Sequence, residues 1–177
     1  MHILLALVGV LTFIAVWYWR LRMITGAARH GYNAARKAAG RRRLPAPSHG
    51  RRTGLAAVHD PREAAAIMML EVARTPGGTI SDKRDAAIRA EMIDHFGFTP
   101  DQAEQLLAHA AWLTRQAPAS RKIVEQMSRV VLAAPDMTMK DYDDLSSMLE
   151  NVAVADGKVS SAERDLIQIW RNRAGLN

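Results

Sequence analysis

Residues 66–98 and 145–176 repeat one another, and this self-similarity constrains the fold more than any other feature. Met69-Leu70-Glu71 matches Met148-Leu149-Glu150, Gly78 matches Gly157, and Ile80 matches Val159. Ser81 matches Ser160, Ile88 matches Ile167, Gly97 matches Gly175, and Phe98 matches Leu176, with one gap in the second copy. Each copy reads as a helix, a short Gly-containing loop and a capped helix. In the second copy Leu145, Met148, Leu149 and Val152 fall at i, i+3, i+4 and i+7, the spacing of a core-facing helical stripe. A helical hairpin cannot bury such a face alone. The two copies are therefore expected to pack together, with the segments between them, as one bundle.

Local signals divide residues 60–177 into six helices. Asp60 is an N-cap with Pro61 at the first helical position, and the helix it opens runs to about Arg74, where Pro76-Gly77-Gly78 breaks it. Ser81 caps a second helix that ends before Gly97. Thr99-Pro100-Asp101-Gln102 reads as a capping box opening a third helix to about Gln116. Ser120 starts a fourth through about Ala133, and Thr138 a fifth to about Ala155. Ser160-Ser161-Ala162-Glu163 is a second capping box, opening a sixth helix closed by Gly175. No run of alternating β-branched residues competes, so the fold class is all-α.

The front of the chain is of another kind. Ile3 to Trp19 is an uncharged run ending in Trp17, Tyr18 and Trp19, followed at once by Arg20 and Arg22. Its length lies at the lower end of what spans a bilayer, and the aromatic cluster suits the membrane–water boundary. A cleaved signal peptide has its positive charge before the apolar run and a small-residue cleavage site after it. Here the charge lies behind, and Gly26-Ala27-Ala28 comes only after two arginines. A buried core helix would not need an aromatic belt followed by uncompensated cations. Residues 1–22 are accordingly expected to be an uncleaved transmembrane anchor.

Charge sets the expected orientation. Residues 1–59 carry Arg20, Arg22, Arg29, Arg36, Lys37, Arg41, Arg42, Arg43, Arg51 and Arg52, and no Asp or Glu. Residues 60–177 hold all 18 acids and the other 14 of the 24 basic groups, a net of −4. Positive residues beside a span stay in the cytoplasm. The expectation is a single-pass protein of the inner membrane, N-terminus out, with the helical body cytoplasmic.

Residues 23–59 read as a basic flexible linker. Gly40 through Gly54 has no apolar periodicity. Arg22, Arg29, Arg36 and Arg43 recur every seven residues and would share a stripe if that stretch were helical. With Arg20 they form an expected contact surface for anionic lipid headgroups, worth about 1 kcal/mol per basic residue near the membrane. Nucleic-acid binding is not expected, because the positive charge is off the foldable part and no aromatic residue interleaves the basic cluster.

One motif carries possible chemistry. Asp156-Gly157-Lys158-Val159-Ser160-Ser161-Ala162-Glu163 matches the back half of an EF-hand loop, with Asp156, Gly157, Val159 and Glu163 at positions 5, 6, 8 and 12. Positions 1 and 3 would be Val152 and Val154, apolar residues that read as core, so a standard calcium site is not expected. Turn and capping requirements account for Gly157, Val159, Ser160 and Glu163, but not for Asp156. The first copy has Gly77 in place of Asp156 and Arg84 in place of Glu163. Any ion role therefore belongs to the second copy.

At these residues the chain resembles the TerB tellurite-resistance domain. The resemblance covers roughly residues 60–177. The same domain forms the N-terminal cytoplasmic part of the membrane-anchored co-chaperone DjlA. The likeness implies a compact helical bundle, a link to envelope or metal-oxyanion stress, and divalent-cation binding by acids. Carried over, that points to Asp156 and Glu163, with Glu150 on the preceding helix. No J-domain is expected, since His59-Asp60-Pro61 is not the His-Pro-Asp tripeptide, and co-chaperone activity is not inherited.

No catalytic constellation competes with this reading. The chain has no Cys, which removes thiol nucleophiles and Cys-ligated metals. His95 and His109 lie in the helical part without H-x-x-x-H spacing, and no P-loop, G-x-S-x-G or G-x-G-x-x-G occurs. Asp141, Asp143 and Asp144 fall in the first turn of a helix, where acids complement the dipole. Trp112 and Trp170 read as core or interface residues. The expectation is a non-enzymatic module that recruits an unidentified cytoplasmic protein. The alternative is a module responding to a divalent cation at Asp156 and Glu163.

Overall fold

The computed structural model describes residues 54–74, 78–117 and 119–176. Over these residues the chain forms a short 3-10 turn, Gly54–Ala57, and six α-helices without strands. The helices are α1 (Pro61–Ala73), α2 (Asp82–Phe96), α3 (Pro100–Leu113), α4 (Ser120–Leu132), α5 (Met139–Val154) and α6 (Ser161–Ala174). Among the described residues no helix is long and apolar enough to cross a membrane. The expected anchor, residues 1–22, lies outside the described residues, as do Arg20, Arg22, Arg29, Arg36 and Arg43.

The helix α1 is the axis of the bundle. Its sequence is apolar all round, Ala64-Ala65-Ala66-Ile67-Met68-Met69-Leu70, a pattern that suits a helix surrounded by others. Every residue from Ala64 to Ala73 is buried, and α1 packs against each of the other five helices. Asp60 caps it, accepting a hydrogen bond from Arg62 N at 2.8 Å, with Pro61 in the first turn.

The capping signals are realised at the other helices too. Thr99 with Gln102 and Ser160 with Glu163 form full capping boxes. Thr138 forms a third with Asp141, which a search for Glu or Gln at the third helical position passes over. Only α4 starts without a side-chain cap bond.

The repeat is present in the backbone. Gly78 and Gly157 both lie in the inter-helix loop with positive φ, 81° and 87°. Gly97 and Gly175 both end the second helix of their copy with φ of 69° and 73°. Ser81 and Ser160 both cap, and Ile80 and Val159 both pack on the core from the loop. The stripe Leu145, Met148, Leu149 and Val152 is buried, as its spacing requires.

One boundary and one burial differ from the sequence reading. The folded part begins before residue 60: Val58 is 2 % exposed, and Leu55 packs against the same core. The folded part therefore reaches into the segment expected to be linker, residues 23–59, because these apolar residues pack on the core. Val154 is not core but 53 % exposed, whereas Val152 is fully buried. Residues two apart on a helix point roughly to opposite sides, so both could not face inward.

Candidate functional site

Helices α2 and α6 start at the same junction. Arg84 occupies the third position of α2 and Glu163 the third position of α6, the same place in each repeat. The two side chains meet. Arg84 Nη1 donates to Glu163 Oε1, and both residues are almost fully buried. Equivalent positions of the two copies thus carry opposite charges and neutralise each other across the repeat.

Arg84 does more than pair with Glu163. Its Nη1 donates to the Ala73 carbonyl at 3.1 Å, the last residue of α1. Its Nη2 donates to the Ala153 carbonyl at 3.2 Å, the Lys158 carbonyl at 3.0 Å and Asp156 Oδ1 at 3.1 Å. Nε lies 2.8 Å from Asp156 Oδ2 as an ionic contact, without the alignment of a directed hydrogen bond. One guanidinium therefore ties the ends of α1 and α5, the second loop and the start of α6 together.

Glu163 serves two partners at once. Oε2 accepts from Ser160 N at 2.8 Å, completing the capping box, while Oε1 faces Arg84. Asp156 sits at the edge of this cluster with a side chain 25 % exposed. Partial desolvation raises its pKa, but the Lys158 backbone N–H and then Arg84 outweigh it, so the carboxyl is held below its ordinary value. Burial works against the charge on Arg84, yet Glu163 and Asp156 overcome it and hold the guanidinium above its ordinary value.

This arrangement does not fit a resident divalent cation. The two carboxylates already face a positive charge, and a second cation beside it would be repelled. Glu150 is not brought to them. It lies on the surface, half-exposed, with Arg171 Nη1 at 3.1 Å from its carboxylate. Among the described residues no group of three or more His, Asp or Glu side chains could hold a metal ion.

Several other polar groups form pairs away from this junction. His95 Nε2 lies 3.2 Å from Glu91 in the last turn of α2, and His109 Nε2 lies 3.2 Å from Glu63. Trp170 is buried and donates to Ser146 Oγ at 2.9 Å. Trp112 is instead 65 % exposed, stacked on His109. Glu71, buried on α1, pairs with Arg74, and Arg74 Nη2 donates to Thr114 Oγ1 at 2.7 Å.

The matched helical pairs, the shared caps and the junction between them bear on kinship. Residues 62–177 match the family of tellurite resistance protein TerB. The chain belongs to the TerB family. No curated protein and no solved structure matches it, and the expected likeness to the co-chaperone is not shown. Within this TerB domain Arg84 is the residue that sequence reasoning undervalued. It registered as the loss of an acid from the first loop. The available signal was the sign of the replacement: a cation where the other copy has a carboxylate, at positions a two-copy bundle brings together.

Proposed function

We propose that this chain is a non-catalytic TerB interaction module, held at the cytoplasmic face of the membrane by residues 1–22 and recruiting a cytoplasmic protein there under envelope or metal-oxyanion stress. The observation that carries the reading is the use of Asp156 and Glu163. They are engaged with Arg84 in joining the two repeats, so the loop acts as a mechanical joint of a rigid bundle. Recognition then falls to the outer surface, where, among the described residues, Trp112 is the most exposed large apolar side chain. An exposed indole is the kind of group on which interface energy concentrates. The membrane half of the reading is supported by the uncharged run Ile3 to Trp19 and by the positive charge that follows it.

The test has two parts. A reporter active only in the cytoplasm, fused after Asn177, is expected to be active and to sediment with membranes. Activity of a periplasm-only reporter at that position would refute the orientation. Cross-linking in intact cells is expected to trap a discrete cytoplasmic protein that Trp112→Ala releases. Trapping that is the same with and without Trp112 removes this surface from the proposal. Loss of tellurite tolerance on deletion, restored by the wild-type chain, tests the stress link.

A further inference from the structure

The surroundings of the Arg84 guanidinium are those of a cation site. Five groups present oxygen to it: the carboxylates of Asp156 and Glu163, and the carbonyls of Ala73, Ala153 and Lys158. They come from both copies of the repeat and the loop of the second. Carboxylates mixed with backbone carbonyls are the donor set that hard divalent cations such as Ca²⁺ take. A loop with that donor set, matching half of a calcium loop in sequence, here surrounds a side chain of its own chain. Arg84 is 2 % exposed, so the positive charge inside the shell is nearly sealed from water. The pocket holds two negative charges against one positive.

We propose that Arg84 is a tethered cation filling an all-oxygen cation site shared by the two repeats, so that the domain takes no divalent ion at its Asp156–Glu163 loop and becomes a divalent-cation binder when the guanidinium is removed. The ion is replaced by a group that cannot dissociate. The joint between the repeats is then insensitive to the cation concentration around it. Vacating the site leaves two carboxylates and three carbonyls facing a cavity open at the Asp156 edge, through which an ion and its waters can enter. The carboxylates without their counter-charge repel each other, and a divalent ion relieves that repulsion.

The experiment uses the full chain, with thermal unfolding followed by helical signal in a chelator and in millimolar calcium, magnesium or manganese chloride at constant ionic strength. The wild-type protein is expected to unfold at one temperature in all of them. Arg84→Ala is expected to unfold at a lower temperature in chelator and to recover saturably with at least one ion. The rise is on the order of 10 °C at a hundredfold excess over Kd. Adding Asp156→Gly to Arg84→Ala should abolish the recovery. If Arg84→Ala does not fold in chelator, recovery of a cooperative transition on refolding with the ion reads the same quantity, and Arg84→Gln, which keeps part of the stem, provides a second variant. A saturable response of the wild-type protein overturns the proposal. So does the absence of any response in both Arg84 variants, or a recovery that survives Asp156→Gly.

Discussion

Replacing Glu163 separates a helix cap from a buried ion pair. As a capping residue alone, Glu163→Ala would lower stability by about 0.5–2 kcal/mol, and Glu163→Gln would be nearly neutral because the amide still reaches Ser160 N. The structure adds a second loss. Arg84 is 2 % exposed, and removing its closest counter-charge leaves a buried cation with only Asp156 to offset it. Breaking such a pair from one side costs about 3–5 kcal/mol. The two losses share one network and do not simply add. The expectation for Glu163→Ala is therefore about 3–5 kcal/mol, a large part of the total of about 5–15 kcal/mol for a domain. In melting temperature this is on the order of 15 °C. Glu163→Gln should fall between, at about 1–3 kcal/mol, since it keeps the cap but replaces a charged partner with a neutral one. Chemical denaturation of the single variants and of Arg84→Met with Glu163→Leu is the assay. The double variant should recover part of the loss, because it removes the buried unpaired cation, while Asp156 still loses its partner and the Glu163 cap is not restored. A loss below about 2 kcal/mol for Ala with none for Gln would refute the ion-pair argument and leave Glu163 a cap.

Three further outcomes follow from particular side chains. A fragment starting at Gly54 should be more stable than one starting at Asp60 by about 1.5–3 kcal/mol, the worth of burying a side chain the size of Val58; equal denaturation midpoints would show that Val58 contributes nothing. Burial raises the Asp60 carboxyl, but hydrogen bonds and charge from Arg62 outweigh it and hold its pKa below the ordinary 3.8. Its contribution is thus complete above that value and lost as pH falls from it through the lowered folded value, so Asp60→Asn should flatten the acid side of the stability profile. Glu71 has the opposite sign: burial raises it above the ordinary 4.5 against the pull of Ser120 and Arg74, so the folded state holds its proton more tightly. Its contribution declines as pH rises from that ordinary value through the raised one, and Glu71→Gln should match or exceed wild-type stability at neutral pH while approaching it in acid. A marked loss at neutral pH would show that the pair with Arg74 outweighs desolvation.

The periodic and local features of this protein were legible in its sequence. Caps, breaks and apolar stripes depend on residues within a few positions of each other, and so Asp60, Ser81, Thr99, Ser160, Gly97 and Gly175 announce the helix ends where they occur. The repeat extends that reach, because equal sequence implies equal local structure wherever it recurs. Charge pairing across the bundle was not legible in the same way. Arg84 and Glu163 are 79 residues apart, and the alignment placed them at equivalent positions without saying that those positions touch. Whether Asp156 and Glu163 form an open acidic site or a closed joint depends on what the packing of α2 against α5, and of α5 against α6, delivers between them. The same holds for Trp112 and Trp170, two tryptophans on helices of similar pattern. One ends in solvent beside His109 and the other under Tyr142, because which face of a helix is covered is settled by its neighbours.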